Sequence, residues 1–160
     1  ELTVHPGHMT LQGRREESMK LLQDSLEQIG RLSERIGVDV SLEIMEKIPK
    51  EFVTDAQSMK EAAGSRKNQF FYTLDIAHCD SEEEPFHILD QLKRISKIHI
   101  SNRKGGCYHT PLGNGDFSFK EMLPKLLAYG LPLVTEGYDD SRDFHRFMEN
   151  TVFLKTNGGL

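Results

Sequence analysis

The chain lacks the features that mark disulfide-rich, membrane-spanning and nucleotide-binding proteins. Only two of its 160 residues are cysteines, Cys79 and Cys107, which is too few for a disulfide framework and predicts a reducing, cytoplasmic location. No apolar run approaches the roughly 18 residues that a transmembrane helix requires. Neither a Gly-x-Gly-x-x-Gly string nor a phosphate-loop lysine motif is present, so the sequence gives no direct support to a nucleotide-binding sheet.

An excess of positive charge is missing as well. The chain has 20 Lys and Arg against 25 Asp and Glu, a formal net charge of −5, and no basic block is longer than two residues. This balance does not favour a general surface for nucleic acids or membranes. The length, with 37% hydrophobic and 28% charged residues, predicts one domain with its own core over residues 1–160.

Strand-like and helix-like segments alternate along the whole chain. Strands are predicted at five places, namely 2–5, 38–44, 69–75, 97–101 and 131–136. Apolar residues recurring every three or four positions predict helices between and after them, at 12–36, 54–64, 84–95, 118–130 and from about 141. Such alternation is typical of a parallel sheet with right-handed crossovers, in which functional residues follow the carboxyl ends of the strands.

Local signals mark several helix ends. Gly37 suits the end of the first long helix. Thr54 with Gln57, and Ser118 with Glu121, have the spacing of a capping box and predict the starts of the second and fourth helices.

Every predicted strand ends in a possible metal ligand. The five strand-end residues are His5, Glu43, Asp75, His99 and Glu136. Period-two alternation places them on the more polar face of the sheet, whereas the opposite face is apolar and should pack against helices. One acid or histidine at a strand end is usually a structural residue, but five out of five predict a shared metal centre.

The motifs around these residues resemble a known family. The strings VHPGH, SLEI, TLDIAHCD, KIHISNRKG, HTPLGNGDF and LVTEG are similar to those of the xylose-isomerase-like, AP-endonuclease-family-2 superfamily, and HxPLGxG is the most specific of them. Members of this superfamily are (β/α)8 TIM barrels that bind divalent metals. The resemblance implies a partial barrel of five parallel strands with flanking helices. Three amino-terminal β/α units would be lacking, and an upstream segment or an oligomer would complete the barrel.

The sugar isomerase branch of the family implies one function. Its Glu-Asp-His-Glu ligand pattern corresponds to Glu43, Asp75, His99 and Glu136, which would hold Mn²⁺, Mg²⁺, Co²⁺ or Zn²⁺. The reaction would be isomerisation or epimerisation of a sugar or sugar phosphate through an enediolate, with Glu43 and Glu136 as acid and base.

Two further residues would contact the substrate of such an isomerase. His78 would orient a hydroxyl group. Arg103 would hold a terminal oxygen or a phosphate, although a solvated loop arginine is an equally good interpretation of that residue.

The endonuclease branch implies a different function, zinc-dependent hydrolysis of DNA at abasic sites. Its additional zinc ligands would be His5, His78, Cys107 and His109, and DNA would be a partner only in this case. Cys107 stands where that branch has Asp, and Ile44 stands where the family usually has Asn. These departures, together with the lacking units, also support a third alternative, a non-catalytic accessory relative.

Overall fold

The computed structural model of the protein describes residues 1–9, 14–139 and 141–158. Helices and strands alternate along these residues, and a short 3-10 helix follows α2. The elements in chain order are β1 (Leu2–Val4), α1 (Arg15–Ile36), β2 (Val40–Glu43), α2 (Ala56–Ala63), β3 (Phe71–Asp75), α3 (Glu84–Gln91), β4 (Ile95–Ile100), β5 (Asn102–Lys104), β6 (Cys107–Thr110), α4 (Phe119–Leu127), β7 (Leu133–Thr135) and α5 (His145–Asn157). No helix among the described residues is long and apolar enough to cross a membrane.

Five strands form one parallel sheet, and its order follows the chain: β1-β2-β3-β4-β7. Each strand pairs in parallel with the next. The sheet curls into half of a barrel flanked by helices, which confirms the predicted partial TIM barrel. Since the strands are parallel and in sequence order, their carboxyl ends all meet at one edge.

The two faces of the sheet differ in polarity, as the alternation predicts. Leu42, Leu74 and Ile98 are fully buried in the apolar layer between sheet and helices, and each such side chain contributes about 1.5–3 kcal/mol relative to an exposed one. The other face carries polar side chains, and the hydroxyl oxygens of Ser41 and Thr73 lie 2.6 Å apart. The apolar layer therefore holds the strands, and the polar face remains available for a site.

The predicted boundary between α3 and β4 is wrong. The apolar spacing extends the helix to residue 95, but α3 ends at Gln91 and the Leu92 backbone is extended, with φ −111° and ψ 113°. Ile95 instead pairs with Tyr72 of β3. Strand pairing therefore overrides a helical pattern that continues by only one more turn.

The predicted caps are partly wrong. Gly37 ends α1 in the left-handed region, with φ 69°, as expected. The cap of α2 is Asp55 rather than Thr54: its carboxylate accepts from the Ser58 amide at 2.7 Å, and the Ser58 hydroxyl lies 3.1 Å from the Asp55 amide. Ser118 precedes α4 but makes no side-chain cap hydrogen bond within the described part of the chain. Aspartate accepts the amide with a full charge, which favours it over the neighbouring threonine.

The remaining boundaries shift by a few residues. β1 ends at Val4, one residue before His5. Helix α1 begins at Arg15, and the predicted start at residue 12 lies outside the described residues. Helix α5 begins at His145 instead of near 141.

The antiparallel hairpin β5–β6 is not predicted by the sequence, and Asn102 holds it in place. The fully buried Asn102 amide donates to Leu112 O at 2.9 Å and to Phe117 O at 2.8 Å. Its oxygen accepts from the amides of Arg103 and Phe117, at 2.9 and 3.1 Å. A Cβ atom at Gly115 would lie 2.6 Å from Arg103 O, so only glycine fits beside this hub.

Replacing Asn102 by aspartate tests the hub. Asn102→Asp keeps the acceptor but removes both donors and buries a charge, so we expect the free energy of unfolding to fall by about 2–4 kcal/mol. Urea unfolding followed by circular dichroism measures it. Asn114→Asp, on the exposed loop surface, is the control and should change stability by no more than about 0.5 kcal/mol. Equal stability of the two variants would contradict the role of Asn102.

Candidate metal centre

Four side chains converge at the carboxyl edge of the sheet. Glu43, Asp75 and His99 lie at the ends of three neighbouring strands, and Glu136 directly follows β7. Each offers one ligand atom, and these four atoms all lie within 4.8 Å of one another. Glu43 and Asp75 are buried, whereas His99 and Glu136 are partly exposed. The fold thus brings together the four residues whose pattern the sequence singled out.

The atoms that face one another have no hydrogen-bond partners outside their own cluster among the described residues. Glu43 Oε1, Asp75 Oδ2, His99 Nδ1 and Glu136 Oε2 are four of the five buried side-chain atoms without such a partner among the described residues. His99 Nδ1 contacts Glu136 Oε2 and lies 3.6 Å from Glu43 Oε1 and 3.9 Å from Asp75 Oδ2. Buried polar atoms almost always have a hydrogen-bond partner. A cluster of buried ligand atoms that face only one another fits a cation.

The chemistry of the donor set also fits a divalent cation. Three carboxylate oxygens and one imidazole nitrogen form a mostly hard set, suited to Mn²⁺, Mg²⁺ or Co²⁺ and acceptable for Zn²⁺. The other oxygen of Asp75 accepts from the Ala77 amide at 2.7 Å, which turns Oδ2 toward the cluster. His5 Nε2 lies 3.3 Å from Glu43 Oε2, so the outer oxygen of Glu43 also has a neighbour.

Electrostatics show how the centre balances its charge without a metal. Burial lowers the pKa of His99, but contacts with Glu136 and Glu43 outweigh it and raise the pKa to about 10. The contact with His99 lowers the pKa of Glu136 to about 2. Burial, followed by the negative charges of Glu136 and Glu43, raises the pKa of Asp75 well above its usual value. Contact with two carboxylates therefore favours the charged form of His99, while burial and like charge disfavour the charged form of Asp75.

A second group lies beside the first and shares Asp75. Ligand atoms of Asp75, His78 and His109 also come within 4.8 Å of one another. Each imidazole has a partner on one nitrogen: His78 Nδ1 lies 2.8 Å from Ile44 O, and His109 Nδ1 lies 3.0 Å from the Ser101 hydroxyl. Burial and the nearby His78 lower the pKa of His109. A hydrogen bond on Nδ1 leaves Nε2 of each ring available as a metal ligand.

The other predicted ligands lie farther out. His5 is exposed, and its Nε2 lies next to the Glu43 carboxylate at the edge of the centre. Cys107 is exposed on the hairpin and, among the described residues, belongs to neither group of converging ligand atoms. The structure therefore brings His78 and His109 to the centre, places His5 at its edge and leaves Cys107 outside.

Two glutamates that the sequence analysis did not single out line the same cleft. The cleft has a volume of about 260 Å³ and includes Glu46 and Glu51, which follow β2. Glu46 Oε2 lies 3.6 Å from His78 Nε2. Burial, and then the charge of Glu46, raises the pKa of Glu51. Their position in the string EIMEKIPKE, directly after a predicted strand end, is the signal that could have identified them.

Arg103 lies near the cleft but its guanidinium is engaged with the protein. Arg103 Nη1 donates to Cys79 O at 2.5 Å and lies 3.6 Å from Asp80 Oδ1. The guanidinium carbon is 5.3 Å from the centre of the Tyr108 ring. Arg103 therefore ties the hairpin to the loop that carries His78.

Solved structures with a similar fold include sugar epimerases and an endonuclease. A D-tagatose 3-epimerase-like protein is 22% identical with a TM-score of 0.80, and the match covers 97% of this chain and 61% of that protein. The 3-keto-D-glucoside 4-epimerase of E. coli is 18% identical with a TM-score of 0.73, covering 96% and 63%. Endonuclease IV of Thermus thermophilus is 18% identical with a TM-score of 0.66, covering 98% and 62%.

The match to these proteins is partial in length but extends over nearly all of this chain. The chain spans about three fifths of the length of the solved proteins it matches. A comparison with curated protein sequences gives no match. The model of one family, described as xylose isomerase-like TIM barrel, matches residues 1–152. With its parallel half-barrel and its converging strand ends, the chain belongs to the xylose isomerase-like TIM barrel family.

Proposed function

We propose that the protein is a divalent-metal-dependent isomerase or epimerase of a sugar or sugar phosphate. The observation that carries this proposal is the convergence of four buried ligand atoms without hydrogen-bond partners, from Glu43, Asp75, His99 and Glu136. Two of the similar structures are named as an epimerase or as epimerase-like, although both proteins are longer than this chain.

The proposed chemistry divides between the metal and the side chains. A divalent ion held by Glu43, Asp75, His99 and Glu136 would supply polarisation of the carbonyl of an open-chain sugar and stabilisation of negative charge on its oxygens. Glu43 and Glu136 remove and return the proton on the carbon beside the carbonyl, one as base and one as acid. Their different surroundings, with Glu43 buried and Glu136 partly exposed beside His99, allow two carboxylates to play unequal roles. His78, which lines the cleft, orients a substrate hydroxyl.

A zinc-dependent endonuclease acting on abasic DNA is the second candidate. The group of Asp75, His78 and His109 favours it, since it offers a place for a second metal beside the first. The exposed position of Cys107, which belongs to neither group of converging ligand atoms among the described residues, weighs against it. We therefore favour one metal per chain.

Metal content per chain distinguishes these candidates, and Glu136→Gln tests the site. We expect about one divalent ion per chain by elemental mass spectrometry. Loss of the Glu136 carboxylate should weaken metal binding by at least about tenfold, since even outer partners of a metal ligand have effects of this size. The metal-free variant should keep the circular dichroism spectrum and the cooperative unfolding of the wild type. Glu121→Gln, an exposed change of the same charge on α4, is the control.

The other outcomes of this experiment are equally informative. Two or three zinc ions per chain would contradict the single-metal proposal and favour the endonuclease. No metal after incubation with each candidate ion, or equal affinity of Glu136→Gln and wild type, would contradict the metal centre and favour a non-catalytic accessory protein.

Metal binding should depend on pH because it displaces a proton. The pKa of His99 is raised to about 10, so the ring is charged in the metal-free protein at neutral pH and must lose a proton to bind a cation through Nδ1. The affinity should therefore rise at least about tenfold per pH unit between pH 6 and 8. Titration calorimetry at pH 7 in two buffers of different ionisation enthalpy should give at least about one proton released per metal. No proton release would contradict the assignment of His99 as a ligand.

Solvent exchange tests the reaction itself. Proton transfer at a carbon beside a carbonyl should incorporate deuterium when the metal-loaded protein acts on a sugar in D₂O. We expect loss of a single carbon-bound proton signal in the NMR spectrum of a substrate from a panel of ketoses, aldoses and their phosphates. Exchange should require both metal and Glu43, so Glu43→Gln should abolish it. Metal-dependent cleavage of abasic DNA without any exchange would instead support the endonuclease.

A further inference from the structure

A basic crevice opens at the end of the sheet opposite the metal centre. It has a volume of about 200 Å³ and lies between α2 and α3, beside the loops that lead into β3 and β4. Buried Tyr72 lines it, together with amides from Asn68 and Gln91. Four of its lining residues are cations, namely Lys60, Lys67, Lys93 and Arg94, and none is acidic. The lining is therefore basic, although acidic residues outnumber basic ones by 25 to 20 in the whole chain.

The protein does not neutralise these four cations. Among the described residues, none of them lies within 4.0 Å of a carboxylate, whereas other basic side chains do find such partners. Arg15 pairs with Glu61 at 2.7 Å and Lys47 with Asp80 at 2.9 Å. Lys60, Lys67 and Lys93 are exposed and Arg94 is partly buried. Cations that share a crevice repel one another, and an anion from solution that enters it would relieve this repulsion.

The guanidinium group of Arg94 is held in position at one side of the crevice. Its Nε donates to Phe70 O at 2.9 Å, and its guanidinium carbon lies 4.3 Å from the centre of the Phe71 ring. These contacts hold the guanidinium plane while neither of the terminal nitrogens takes part in a described hydrogen bond. A held guanidinium with free terminal nitrogens suits the oxygens of a phosphate.

The carboxyl ends of two helices explain only some of the four basic residues that line the crevice. Helices α2 and α3 end at the crevice, and basic residues are favourable near helix carboxyl ends. That effect falls off within the last turn. Lys60 lies in the last turn of α2, and Lys67 directly follows the short 3-10 helix after α2. Lys93 and Arg94 follow the end of α3 by two and three residues, and the end of that helix does not account for both of them.

We propose that this crevice binds a small phosphate-bearing anion with two or more negative charges, such as a diphosphate group. The lysines provide charge, Arg94 provides oriented donors, and the amides of Asn68 and Gln91 provide neutral donors at the rim. The site is separate from the metal centre, because Tyr72 and Asp75 are three residues apart on β3, about 10 Å at ~3.3 Å per residue. It lies beside paired strands rather than at the open edges of the sheet, and it does not depend on the proposed isomerase activity.

Titration of the metal-free full chain with inorganic pyrophosphate tests the proposal. Removing metal first prevents pyrophosphate from binding at the other end of the sheet through a cation. We expect saturable binding by calorimetry, with a dissociation constant of about 1 mM or lower, and a rise in melting temperature at constant ionic strength. Lys67→Gln combined with Lys93→Gln should weaken binding by at least about tenfold.

A matched variant separates a site from general charge. Lys20→Gln combined with Lys120→Gln removes the same charge from exposed positions on α1 and α4 and should leave the affinity within about twofold of the wild type. Arg94→Lys keeps the charge but loses the planar donors and should weaken binding. No saturable binding by the wild type, or equal weakening by the two double variants, would overturn the proposal and leave the lysines as solvated surface residues.

Discussion

Three carboxylates meet at the carboxyl edge of the parallel sheet, and the rest of the site depends on how their charge is balanced. Glu43, Asp75 and Glu136 are brought together by strand alignment, although like charges at such distances oppose one another strongly. His99 lies between them and takes up a proton with a pKa of about 10. A divalent cation would replace that proton and would contact all four ligand atoms at once.

The loops around this edge are joined by ion pairs. Lys47, in the loop after β2, contacts Asp80 in the loop after β3 at 2.9 Å, and Asp80 lies 3.6 Å from Arg103 on the hairpin after β4. Exposed pairs of this kind contribute little to stability one at a time. Together they connect the three loops that surround His78 and Glu46. Arg103 acts here as a link between loops, in addition to the substrate contact that the family resemblance implies.

The sequence predicted much of the architecture but less of its detail. The order of strands and helices and the two faces of the sheet were correct, because apolar periodicity records burial directly. The end of α3 was wrong, since Leu92 and Ile95 continue a helical spacing while Ile95 is taken by the sheet. The hairpin β5–β6 was missed, because it depends on the buried Asn102 and on contacts to residues 112 and 117, which no local pattern reveals.

The candidate site was likewise predicted from the sequence only in part. Local alternation along the sequence by itself predicted five strand-end residues at one edge, because parallel strands bring all such positions together, and the family resemblance singled out Glu43, Asp75, His99 and Glu136 among them. Only the tertiary structure decided which atoms remain unpaired, that Cys107 lies outside the cluster, and that Glu46, Glu51 and the basic crevice exist as surroundings. These depend on side chains from separate elements meeting in space, and on hydrogen bonds such as that of Ser101 with His109, which sequence spacing does not encode.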